Sequence, residues 1–468
     1  MKTVKLSDLA PGTVTETDYC NEKGEILIPK NVTISKNHIE VLKRRNIFEI
    51  YKKASSEDDE LKELLSADFD LGELDLDDEP SKQRSLSKPV PDLIGSAKAL
   101  ELPEFKTIKA GVEGLEQLQK SSLAADLDKK FKRGRTPDRP VGPALKDAGK
   151  EVTPQERTDA YKSRMISIYD KGLNQVKSIL NALANGEKIH GTQIRNIVEG
   201  FVKRYVTDRN ILLNLSTTRG KDTIYVYNHS LNVCLLAINI AAAFGYSREQ
   251  VIEIGMGALL FDVGMLLISR EIYTKKGRLT KDEWYEIQKH PIMGLHLLER
   301  VSRLPESVPY IAYQSHEREN GTGYPKKRTD RLIHNFSKII QIADIYIALA
   351  SPRPYRDAYI PYKAMETIIK MTKQGLISGQ FVKAFLSYTS LFPVGSLVEL
   401  SNKKIAKVIK ANSSSFAKPT VSVLSTDKGE PLPENNIYQI DLADDTNIHI
   451  IKALNTDHIE CISLMDGF

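Results

Sequence analysis

The stretch HERENGTGYP, His316 to Pro325, closes an apolar helical run with a histidine and then turns through a loop holding Gly321, Gly323 and Pro325. Four more residues of metal-binding type share its character: His229 in YNHSLNV, Asp262 in LLFDVG, His290 in IQKHPIM and Asp344 in QIADIYIAL. With His316 they are spaced 33, 28, 26 and 28 residues apart, each in or at the end of an apolar helical stretch. Taken singly, each reads as a hydrogen-bonded core histidine or a helix-capping aspartate. Imidazole and carboxylate donors brought together from separate helices are, however, how helical bundles build metal sites in their cores. The five together predict such a convergence.

Around this region the chain is organised in four parts. Residues 1–53 predict a small α/β unit, with strand-like runs broken at Pro11–Gly12 and Gly24 and a short helix capped by Ser35. Residues 54–155 predict a charged, largely disordered linker. Twelve acidic residues and one lysine lie between Glu57 and Glu79, and a basic run, KKFKRGR, follows at 129–135. A sharper reading has the acidic-leucine segment or the basic run docking on a partner or a neighbouring domain. Residues 156–392 carry helical periodicity, starting with Met165, Ile168, Tyr169, Leu173 and Val176. Thr192 is the expected cap of the second helix, and Thr280 with Glu283 predicts a capping box. From 393 to 468 the pattern changes to short strands (GSLVEL, KIAKVIKA, PTVSVL, NIYQIDL, NIHIIKAL), a β-rich appendage. The fold class expected is therefore mainly α, with a small α/β unit before the bundle and a β-rich tail after it.

Composition narrows the setting. Apolar residues make up 41% and charged residues 27% of 468, ordinary values for a globular protein. The net charge of +5 argues neither for nor against nucleic acid, and none is expected as a partner. Cys20, Cys234 and Cys461 have no paired spacing, which fits a reducing cytoplasm and excludes a disulfide framework. The uncharged run from Thr223 to Ser247 contains Asn228, His229, Asn232 and Asn239, so a buried helix is expected there and not a membrane span.

Together with HSLN at 229, FDVG at 261, HP at 290 and ADIYIALASPRPYR at 343–356, the HERENGTGYP stretch resembles the HD-GYP family. These are bacterial signalling phosphodiesterases of the HD superfamily that hydrolyse cyclic di-GMP. The resemblance covers about 156–392, half the chain, and implies a helical HD-type phosphohydrolase bundle. It assigns His229, Asp262 and Asp344 to one metal and Asp262, His290 and His316 to a second. It also places Tyr324, Arg353 and Arg356 against the cyclic dinucleotide, where arginine's planar fork suits phosphate oxygens or a guanine edge.

The departures from the family pattern matter as much. The HD dyad falls on Phe261–Asp262, the lysine that follows it is Met265, and the paired histidines are Ser315–His316. Tyr225 stands where members with a third metal have a glutamate. Two-metal hydrolysis needs cations that polarise the phosphoryl oxygens and activate water. Phe261 offers no lone pair, Ser315 is a weak neutral ligand, and Met265 cannot neutralise phosphate charge. The resemblance then implies a degenerate, catalytically inactive or very weak member. It would act as a cyclic di-GMP sensor or an adaptor for bacterial signalling proteins, with at most one weakly held divalent cation, iron or manganese. The alternative is a phosphodiesterase working with a reduced metal site.

Overall fold

The computed structural model describes residues 158–208, 225–351, 358–412, 415–445 and 447–454. It also describes parts of 2–52 and 126–150, and Leu61, Leu65, Leu212 and Leu215. The protein is mainly helical. At its start, β1 (Lys2–Lys5), β2 (Tyr19–Cys20), β3 (Ile26–Ile28) and β4 (Glu49–Lys52) form an antiparallel sheet in the order β1-β4-β2-β3. Helix α1 (Lys36–Arg44) packs on it through Leu42, and Ser35 Oγ accepts from the backbone of His38. This unit closes its own small core of Tyr19, Ile28, Ile34, Leu42 and Ile50.

The helical body begins with α2 (Asp159–Ala184) and α3 (Gly191–Thr207). The cap of α3 is His190, whose ring nitrogen accepts from the backbone of Thr192, so Thr192 lies inside the first turn. Central to the body is α4 (Tyr225–Phe244), with every residue from Val226 to Ala242 buried. Because it is uncharged and largely apolar, it can be packed on all sides: α5 (Arg248–Leu260), α9 (Asn335–Ala350) and α11 (Gly379–Thr389) surround it. Between α5 and α9 run α6 (Lys281–Ile287), α7 (His290–Leu298) and α8 (Ser307–Gln314). Helix α10 (Pro361–Lys373) precedes α11. The capping box at Thr280 and Glu283 forms as its residues dictate, fixing where α6 begins. Among the described residues, Tyr225–Phe244 and Arg248–Leu267 are long and apolar enough to cross a membrane. Buried shares of 94% and 83% make them core elements here.

Five strands follow: β5 (Leu397–Leu400), β6 (Ile405–Lys410), β7 (Thr420–Val423), β8 (Tyr438–Asp441) and β9 (Ile450–Leu454). They form an antiparallel sheet in the order β8-β7-β6-β5-β9. Alternation puts Val398, Leu400, Ala406, Val408, Val421 and Val423 on one face, and that face is continuous with the helical core. Ring stacking of Tyr362 on Phe392, with centroids 5.0 Å apart, marks the junction.

The described parts of 54–155 pack on the helical body. Leu61 and Leu65 lie against its main core, and Leu127 is buried among Ile292, Leu295, Tyr310 and Tyr313. Tyr246 donates its hydroxyl to the Asp138 carbonyl at 2.5 Å, and Leu145 is buried. The acidic run from 66 to 79 and the basic run at 130–135 lie outside the described residues.

Candidate metal and ligand centre

Each of the five candidate ligands comes from a different element. His229 sits in the first turns of α4, Asp262 follows the end of α5, His290 opens α7, His316 follows α8 and Asp344 lies within α9. The structure brings all five together. His290 Nε2 and His316 Nε2 lie 3.2 and 3.3 Å from Asp262 Oδ1, and His229 Nε2 lies 3.9 Å from Asp262 Oδ2. Asp344 meets His229 at 2.8 Å and His316 at 3.8 Å. Asp262 is the hub.

Local sequence explains how the elements come this close. Gly264, two residues after Asp262, faces the start of α7. A Cβ there would stand 2.0 Å from the His290 carbonyl oxygen, so only glycine lets the α7 backbone press against this turn. That contact carries His290 to Asp262. Gly323 has the same role in the loop after His316, where a Cβ would lie 2.4 Å from the Arg318 nitrogen. The tight return seats the Tyr324 ring on His316, with centroids 5.0 Å apart and planes 7° from parallel.

Burial and neighbours set the electrostatics. Burial alone pushes the Asp262 carboxyl up. The hydrogen bonds and charges of His290 and His316 outweigh it and hold the carboxyl well below the usual carboxylate range. Burial pushes the His316 imidazole down, against the pull of Asp262 and Asp344. The Tyr324 hydroxyl is pushed up by burial and by the charges of Asp262 and Asp344, so it stays a neutral donor.

The donor set fits a cation. The ligand atoms of Asp262, His290 and His316 all lie within 4.8 Å of one another, and nitrogen with carboxylate oxygen suits iron, manganese or zinc. His290 Nδ1 is held 2.6 Å from the Ile287 carbonyl oxygen, while its buried Nε2 faces Asp262 Oδ1 at 3.2 Å. A backbone carbonyl on the far nitrogen is the arrangement that orients a ligating imidazole.

The departures from the family pattern are equally visible. Phe261 is fully buried, and its ring centroid stands 6.0 Å from those of both His229 and His316. Ser315 is fully buried, and its Oγ has no hydrogen-bond partner among the described residues. Tyr225 stacks on His229 at 4.7 Å. Arg353 and Arg356 lie outside the described residues.

Two contributors escaped the sequence reading. Glu317 is buried and its carboxylate accepts from the backbones of Lys326 and Arg328, both at 2.8 Å, pinning the loop that carries Tyr324. Arg318 donates to the Glu317 carbonyl at 3.0 Å. Burial lowers its pKa, and the charges of Asp344 and Glu317 oppose that, which puts its guanidinium within electrostatic reach of the cluster. The sequence signal for both was their place directly after His316.

Comparison with known proteins agrees with this geometry. Residues 205–379 match the HD domain family, and residues 397–462 match the KOW domain associated with HD domain. A cyclic di-GMP phosphodiesterase of Pseudomonas aeruginosa is 28% identical over 55% of this chain and 62% of its own. One from Borreliella burgdorferi is 28% identical over 50% of this chain and 61% of its own. This chain therefore spans less than two thirds of the length of either relative. A solved HDGYP protein from Bdellovibrio bacteriovorus aligns with a TM-score of 0.41 and 13% identity, over 82% of this chain and 97% of its own. Residues 205–379 form an HD domain, followed at 397–462 by the KOW domain associated with it.

Proposed function

We propose that this protein is a cytoplasmic cyclic di-GMP receptor built on an HD-GYP scaffold, holding one divalent cation and turning over its ligand very weakly or not at all. One observation carries the reading. The cluster of Asp262, His290 and His316 keeps its donors together, while the fully buried Phe261 ring stands beside His229 and His316, where a second ligand set needs a histidine.

A cation bound there would supply positive charge to a phosphoryl group. The chain's own residues do the rest. His290, fixed by Ile287, and Asp262 give that charge a place. Tyr324, held flat on His316, offers a neutral hydroxyl to a phosphate or base edge. Arg318 brings a guanidinium to the same side, partly making up for the ammonium lost at Met265. What is missing is the second charge. A lost charged contact at a reacting phosphate costs roughly 2–4 kcal/mol of transition-state stabilisation, and a ligand can still bind without it.

A second reading, a phosphodiesterase with a reduced metal site, is favoured by the relatives, which are named as such enzymes. The two part on binding without turnover. Calorimetric titration of the full chain with cyclic di-GMP should give a saturable isotherm with the ligand recovered intact. Arg318→Ala should weaken it by about tenfold to hundredfold, the cost of one charge-assisted hydrogen bond. No heat at high micromolar ligand would remove the receptor reading.

A further inference from the structure

Helix α6 turns an indole to solvent beside the centre. Trp284 is the one tryptophan of the chain and is 46% exposed. Its neighbour Tyr285 is also exposed, but Lys289 lies over that ring at 5.2 Å. Trp284 meets Tyr324 instead, edge to face, with centroids 6.0 Å apart and planes at 82°. Since Tyr324 stacks on His316, three rings step outward from the Asp262 cluster to the surface.

Nothing in the local fold asks for an indole there. The start of α6 is fixed by the capping box of Thr280 and Glu283, and Glu283 also pairs with Lys275 at 2.6 Å. These contacts fix the start of the helix without using the indole, which packs on Tyr324. A half-exposed indole set edge-on to the ring that covers His316 leaves an aromatic face open beside the Asp262 cluster. With Tyr324 and Trp284 nearly perpendicular, a flat group lying on one ring stands upright to the other, so the pair forms a corner. A purine base fits that shape, because every base offers a π face that an aromatic side chain can stack on.

We propose that Trp284 is the outer wall of the ligand site and stacks on one purine base of a cyclic dinucleotide, whose phosphates lie toward Asp262 and Arg318. The inference rests on the receptor reading above, and it adds the residue that grips the base.

The single tryptophan supplies its own test. The full chain is titrated with cyclic di-GMP while indole emission is followed, with calorimetry in parallel. Emission should quench along a saturable curve with the calorimetric midpoint. Trp284→Ala should lose about fivefold to hundredfold in affinity while keeping its far-ultraviolet dichroism, and Trp284→Phe should recover most of that loss. Calorimetric binding with unchanged emission and undiminished affinity in Trp284→Ala would overturn the inference and leave the receptor reading standing. Absence of calorimetric binding would overturn both.

Discussion

His290 presents Nε2 to Asp262 Oδ1 across 3.2 Å while its Nδ1 lies 2.6 Å from the Ile287 carbonyl oxygen. A carbonyl only accepts, so Nδ1 donates to it, and Nε2 is left to face the carboxylate. Nitrogen and carboxylate oxygen so placed can share a cation.

The first prediction follows from that relationship. Mn²⁺ or Fe²⁺ should stabilise the protein against thermal unfolding, by about 2.7 kcal/mol at a hundredfold excess over Kd, and a chelator should reverse the effect. In His290→Ala the shift should vanish. An unchanged midpoint at millimolar metal would mean that the cluster is a hydrogen-bonded core and nothing more.

Phe261 tests the loss of the second cation. Phe261→His replaces a buried apolar ring by a smaller one with a lone pair, between His229 and His316. Elemental analysis should show bound metal rising from one equivalent toward two. Hydrolysis should become measurable but stay low, because Met265 still leaves one phosphate charge uncompensated. Metal content that stays at one equivalent in a folded variant would show that the aromatic ring is not what excludes the second ion.

Glu317 anchors the loop that positions Tyr324. Glu317→Ala removes the acceptor for two part-buried backbone N–H groups, at a cost of roughly 1–3 kcal/mol in chemical denaturation. Ligand affinity should fall with it, since the loop that carries the ring over His316 loses two of its anchors and keeps the Tyr324 N–H bond to the His316 carbonyl. Equal affinity in a destabilised variant would separate the loop from recognition.

Much of this was readable from the chain. The helical class followed from apolar periodicity, and the five ligand-type residues stood out because each lies in or at the end of an apolar helical stretch, where a polar group needs a reason. Strand alternation likewise showed the C-terminal sheet. Contacts made through geometry were hidden. Glu317 looks like any loop carboxylate until the chain folds back to offer it the N–H groups of Lys326 and Arg328. His190 caps α3 although histidine is a poor sequence signal for a cap, and Thr192 drew the assignment because its type is common there. Leu127 sits in a strongly charged stretch, so nothing in its neighbours announces the pocket of Ile292, Leu295, Tyr310 and Tyr313 that takes it. Gly264 is visible in FDVG, but its purpose, the approach of the His290 carbonyl, appears only in three dimensions.

The central claim, binding with little or no turnover at a one-cation site, is tested most directly by a hydrolysis assay. Full-length protein and Asp262→Ala are each supplied with Mn²⁺ or Fe²⁺ and cyclic di-GMP, and linear dinucleotide and GMP are quantified. The account predicts that the two release indistinguishable amounts of product. Robust release by the unaltered protein, abolished in Asp262→Ala, would contradict it and establish the reduced site as a working phosphodiesterase.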